Sequence, residues 1–147
     1  MLSSDDIVKI NNIAYQAGDE ILRIYDSSFN IETKEDNSPL TTADRNSHLI
    51  IEKGLKALFP DIPILSEEGI SIDYSERSNW EYFWLIDPLD GTKEFIKKNG
   101  EFTVNIALIE NNKPVLGVIF VPAKSLLYFA QKNNGSYKIN TNVELGN

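Results

Sequence analysis

Thr103-Val104-Asn105-Ile106-Ala107-Leu108-Ile109, the turn Asn111-Asn112-Lys113, then Val115 to Val121, Leu126 to Ala130 and the turn Asn133-Asn134-Gly135 decide the fold. Short runs rich in β-branched and apolar residues, joined by Asn- and Gly-containing turn signals, are the pattern of an antiparallel meander. Upstream, Ile62-Pro63-Ile64-Leu65-Ser66 and Phe83-Trp84-Leu85-Ile86-Asp87 are apolar runs of strand length, each running into carboxylates and a turn. Acids are therefore expected at strand ends.

Further toward the N-terminus the period changes from two to three and four. From Asp5 to about Tyr25, Ile7, Ile10, Ile13, Ala14, Ala17, Ile21 and Ile24 recur at helical spacing behind Ser and Asp capping candidates. Thr41 or Thr42 is the expected cap of a second helix carrying Ala43, Leu49, Ile50, Leu55 and Leu58 and stopping before Pro60. Between the helices, Asn30 to Pro39 is polar and turn-rich and reads as a mobile loop or irregular hairpin. The expected architecture is α+β: two helices packed on a mostly antiparallel sheet, in one domain spanning 1–147.

Composition narrows the function classes. Apolar residues make up 41% and charged residues 24% of 147, as in an ordinary globular domain. With 22 acidic against 14 basic side chains, the formal charge is -8, which repels nucleic acid and anionic lipid. Such a protein binds a phosphorylated small molecule when divalent cations lie between its carboxylates and the phosphate. Cysteine is absent, which removes disulfides, zinc-thiolate centres and thiol nucleophiles. No segment approaches the roughly 20 apolar residues of a membrane span, and the start lacks a signal-peptide pattern, so the expectation is a cytoplasmic protein with no integral membrane segment.

The densest chemical signal is Trp84-Leu85-Ile86-Asp87-Pro88-Leu89-Asp90-Gly91-Thr92-Lys93-Glu94-Phe95. Asp87 is read as closing a strand, Pro88 as stiffening a turn, and Asp90-Gly91 as the bend that lets two carboxylates face one point. Two acids with the Leu89 carbonyl between them are hard oxygen donors of the kind Mg²⁺ takes. Read alone, the hexapeptide Asp87 to Thr92 is equally a turn with a helix cap. Two further acidic elements change the weighing: Glu67-Glu68-Gly69 follows the Leu65-Ser66 strand, and Thr41-Thr42-Ala43-Asp44 sets an acid at a helix start. Three elements bringing carboxylates together is what a multi-cation phosphoryl-transfer site requires.

These motifs, in this order, resemble the inositol monophosphatase family of lithium-sensitive phosphatases, whose pattern is an Asp on the second helix, a Glu-Glu pair, then D-P-[LI]-D-G-T and finally W-D-x-A-A-G. Within it, Lys93-Glu94-Phe95 and Asn99-Gly100-Glu101-Phe102-Thr103-Val104-Asn105 are similar to the 3'(2'),5'-bisphosphate nucleotidases of the CysQ type, where inositol phosphatases have Thr-Asn-Phe. The resemblance implies Glu67, Asp87, the Leu89 carbonyl and Asp90 as ligands of two or three Mg²⁺ ions, with Mn²⁺ as a substitute. It implies Asp44 and Thr92 as the pair that orients and deprotonates the attacking water, with Asp90, Gly91, Thr92 and Lys93 meeting the substrate. Glu68 is either an outer ligand or a supporting acid. The implied substrate is 3'-phosphoadenosine 5'-phosphate, placing the protein in sulfur assimilation; the alternatives are an inositol phosphate, or a metal-binding chain inactive without a partner. The resemblance also admits peripheral attachment at the inner membrane.

The W-D-x-A-A-G motif follows neither Trp80 nor Trp84. Residues 1–147 are therefore expected to be the N-terminal metal-binding domain, with the family's C-terminal domain absent, and to be completed by a second copy or a complementing C-terminal half. His48, flanked by Asn46, Ser47 and Leu49, reads as a surface or boundary residue. Lys34, Glu35 and Asp36 read equally as a solvated turn or, from the loop's place in the family, as contacts to a phosphate or a third metal ion; the aromatics Tyr74, Trp80, Tyr82, Phe83 and Trp84 read as core or interface, and Arg77, Lys97 and Lys98 as surface charges.

Overall fold

The computed structural model describes residues 2–27, 38–66, 69 and 71–141. The first helix, α1, spans Ser4–Tyr25 and starts in a capping box: Ser3 Oγ accepts from the Asp6 backbone N–H, and Asp6 Oδ2 accepts from the Ser3 N–H. Its buried stripe is the expected set of isoleucines and alanines.

The second helix, α2, spans Pro39–Leu58, and its cap is Ser38 rather than Thr41 or Thr42. Ser38 Oγ accepts from the Thr41 N–H at 3.1 Å, while Pro39, with no N–H to satisfy, fills the first helical position. Starting the helix earlier moves Asp44 from the helix start into its second turn. It also turns the inward face onto Ala43, Ser47, His48, Ile51 and Leu55, leaving Leu49 55% exposed. The inter-helix segment 30–37, with Lys34, Glu35 and Asp36, lies outside the described residues.

Six strands follow: β1 (Ile64–Ser66), β2 (Tyr82–Asp90), β3 (Thr103–Glu110), β4 (Lys113–Val121), β5 (Leu126–Gln131) and β6 (Ser136–Asn140). They lie side by side in sequence order; β1 runs parallel to β2 and every other pair is antiparallel. Two short helices, α3 (Tyr74–Arg77) and α4 (Thr92–Lys97), flank β2. The expected α+β architecture is thus realised, with α1 against β3 and β4 and α2 against β2.

Side chains alternate across the sheet. Trp84, Ile86, Val104, Ile106, Leu108, Leu116, Val118, Phe120 and Leu127 turn to the helices and form the core. On the opposite face, Leu85 (44%), Ile119 (46%) and Tyr128 (39%) remain exposed. Trp84 is fully buried in the core, with its ring 5.5 Å from that of Phe59.

Candidate active site

The segment Asp87 to Lys93 does not leave the sheet at Asp87. Strand β2 continues through Asp90, and Pro88 occupies a bulge: the step from Asp87 to Asp90 faces only the step from Asn105 to Thr103 on β3. Proline has no N–H to give a ladder, so a bulge is where a strand interior tolerates it. Chain direction then changes at Gly91, whose φ of 92° and ψ of 51° lie in the left-handed region, and α4 begins with the Phe95 N–H donating to the Gly91 carbonyl at 2.9 Å.

Within this segment Asp87 is half-buried, Leu89 sends its side chain into the core, and Asp90, Thr92 and Lys93 are exposed. Leu89 can therefore offer a cation only its backbone carbonyl. Asp90 Oδ2 accepts from Asn105 Nδ2 at 3.1 Å, and Asn105 Oδ1 accepts from Thr103 Oγ1 at 3.0 Å, so β3 fixes the orientation of the Asp90 carboxylate. Sequence reading left Asn105 and Thr103 out of the site. Their signal is positional: Thr103 is the register partner of Asp90, and Asn105 of Asp87.

Helix α2 meets the bulge directly. Ser47 Oγ donates to the Pro88 carbonyl at 2.7 Å in a buried contact, and Asp44 lies one turn earlier on the same helix, half-buried with Oδ1 turned inward. His48, the next residue, is 8% exposed, which corrects its reading as a surface or boundary residue. Its Nδ1 is 3.0 Å from Ser66 Oγ at the end of β1, and its Nε2 is 2.7 Å from Glu52 Oε2. Glu52 in turn accepts from Lys56 Nζ at 2.8 Å, and that bond first of all holds its carboxyl below the usual 4.5.

The structure thus brings Asp44, Asp87, Leu89, Asp90, Gly91, Thr92 and Lys93 to one end of the sheet. Glu67 and Glu68 lie outside the described residues, and among those described no three His, Asp or Glu side chains converge as a cation site. The donors that are described are all hard oxygens, which fits Mg²⁺ and excludes a soft thiolate-binding metal.

Helix α4 is held from below by an aromatic trio. Tyr25 lies 5.5 Å from Phe95 and 4.8 Å from Phe102, and Phe95 lies 5.5 Å from Phe102. Lys98 donates to the Tyr25 carbonyl at the end of α1 and sits 4.9 Å over the Tyr25 ring, so it is an anchor and not a plain surface charge. Arg77, also read as a surface charge, is half-buried. With Leu65, Ser66, Leu85, Asp87, Asn105 and Ile119 it lines a shallow cavity of about 660 Å³ on the sheet face away from the helices.

The sequence model of the inositol monophosphatase family matches residues 2–145. The 3'(2'),5'-bisphosphate nucleotidase CysQ of Salmonella typhimurium is 52% identical over 124 residues, covering 83% of this chain and 50% of that protein. The protein of the same name from Buchnera aphidicola is 50% identical over 128 residues, covering 86% and 48%. The crystal structure of CysQ from Bacteroides thetaiotaomicron matches with a TM-score of 0.84 and 48% identity, over 95% of this chain and 51% of that one. The chain spans about half the length of the curated relatives it matches. With the helix pair, the sequence-ordered sheet and the family model all in agreement, the chain belongs to the inositol monophosphatase family.

Proposed function

We propose that this chain is the metal-binding part of a Mg²⁺-dependent phosphatase that removes the 3'-phosphate of 3'-phosphoadenosine 5'-phosphate. The observation that carries the reading is the bulged Asp87 to Thr92 segment, clamped by Asn105 and Ser47, in a chain half identical to proteins named 3'(2'),5'-bisphosphate nucleotidase. Asp87, Asp90 and the Leu89 carbonyl, with Glu67, would hold two or three Mg²⁺ ions, or Mn²⁺ in their place. Bound there, divalent cations supply Lewis-acid chemistry, neutralising phosphate charge and acidifying water.

The remaining work belongs to side chains. Asp44 and Thr92 orient the attacking water and take its proton, and Lys93, exposed at the start of α4, meets a substrate phosphate. No covalent enzyme intermediate is required, and the displacement proceeds in line. The exposed face carrying Leu85, Ile119 and Tyr128 is where a second copy or a complementing C-terminal half would complete the protein. Among the described residues no helix is long and apolar enough to cross a membrane.

The test is phosphate release from 3'-phosphoadenosine 5'-phosphate with Mg²⁺, measured for the chain and for Asp87→Asn. Release that falls by about a hundredfold or more in the variant supports the reading, that being the scale on which loss of one charge-stabilising group acts. Faster turnover of inositol monophosphate in the same assay would overturn the nucleotide as substrate and leave the cation chemistry standing. Equal release by wild type and variant would overturn the assigned site.

A further inference from the structure

We infer that Ser47 and His48 are positioning residues, a two-point clamp by which α2 sets the spacing of the cation-binding carboxylates; the inference rests on the cation site proposed above. One helix carries both Asp44 and the clamp. Ser47 reaches the Pro88 carbonyl, between Asp87 and Asp90 in the bulge, and His48 reaches Ser66, the last residue of β1. Ser66 pairs with Ile86, two residues before Pro88, so the contacts land on neighbouring strands on either side of Asp87. A side chain at 47 and another at 48 point about 100° apart around a helix, which suits them to separate strands and not to one.

The polarity of the second contact follows from Glu52. Its carboxylate, kept ionised by Lys56, only accepts, so His48 Nε2 carries the proton. In the neutral ring Nδ1 then accepts from the Ser66 hydroxyl. The imidazole is thereby held at both nitrogens, one to its own helix and one to the sheet. A bulge leaves its extra residue outside the ladder, and here a buried serine bonds the peptide within it.

The experiment compares Mn²⁺ binding to the full chain, read as free Mn²⁺ by electron paramagnetic resonance, with the melting midpoint of each variant. His48→Gln keeps an amide at the Nε2 position and loses the Ser66 contact. His48→Asn keeps an amide at the Nδ1 position and loses the Glu52 contact. Ile51→Val loosens the same buried helix face without touching either clamp. The expected result is affinity about tenfold weaker in His48→Gln, in Ser66→Ala and in Ser47→Ala. His48→Asn should retain wild-type affinity despite melting earlier, and Ile51→Val should do the same.

Wild-type affinity in His48→Gln, or affinity that tracks the melting midpoint across all variants including Ile51→Val, would overturn the clamp. A wild-type chain that takes up no Mn²⁺ would overturn the cation site itself and the clamp with it. That arm is read on the unmodified chain alone, so the two failures are told apart.

Discussion

At the scale of single residues, Gly91 is the position where the backbone constrains the site most. Its φ of 92° is in the left-handed region, and an added Cβ would sit 3.2 Å from the Phe102 Cα and 3.2 Å from Glu94 Oε2. Gly91→Ala is expected to lower stability by about 1–2 kcal/mol from the backbone conformation alone. Urea unfolding checks it; an unchanged midpoint would mean that the turn relaxes to another conformation. The Asp87, Asp90 and Gly91 pattern was legible because it is contiguous. His48 was misread for the opposite reason: its sequence neighbours are mostly polar, but it shares a helix face with Ile51 and Leu55, three and seven residues away, which are buried. Asn105 was invisible because its role depends on strand register, which no local signal prints.

At the scale of elements, the amphipathic periods located α1, α2 and the first three strands of the meander, β3 to β5, since each buries one face; β6, exposed along its whole length, gave no such period. Boundaries set by polar chemistry were harder to read. Ser38-Pro39 outcompeted Thr41-Thr42 because the proline sets a helical φ and lacks the N–H that a cap would otherwise have to satisfy. Asp87 reads as the strand end and Pro88 as a turn residue, whereas the bulge carries the strand on to Asp90. The start of α1 gives a pH prediction. Asp6 lies below its usual 3.8, chiefly because it accepts the Ser3 backbone N–H, with the Ser3 hydroxyl second. A folded pKa below the unfolded one stabilises fully above pH 3.8 and is lost as pH falls through the lower folded value. The melting midpoint of wild type should therefore exceed that of Asp6→Asn above pH 3.8, and the gap should close at lower pH. A gap constant with pH would remove the carboxylate from the cap. The effect should be small and weaken in salt, since Asp6 sits at the solvent-facing start of α1.

At the scale of the whole molecule, the sheet has one covered face and one open one. Leu85, Ile119 and Tyr128 lie on the open side, with Ile119 and Tyr128 directly paired across β4 and β5. An apolar dye such as anilinonaphthalene sulfonate should bind the native chain, and Ile119→Lys should reduce its fluorescence without loss of the melting transition. Equal fluorescence in the two proteins would locate the dye elsewhere. The overall architecture was readable because strands adjacent in sequence are also adjacent in the sheet; the parallel placement of β1 was not, since no turn signal joins it to β2. That same sequential order bears on how the chain emerges from a ribosome. Each new strand can pair with the one made just before it, so the sheet can grow in step with synthesis and with short loop closures. Helix α1 is a partial exception: it packs first on α2, made directly after it, but also on β3, β4 and the short 3₁₀ turn Pro122–Lys124. The part of its isoleucine row that faces the sheet therefore stays uncovered until about a hundred further residues have been added, of order ten seconds at ordinary translation rates. During that interval the nascent chain offers an amphipathic helix to any chaperone at the tunnel exit.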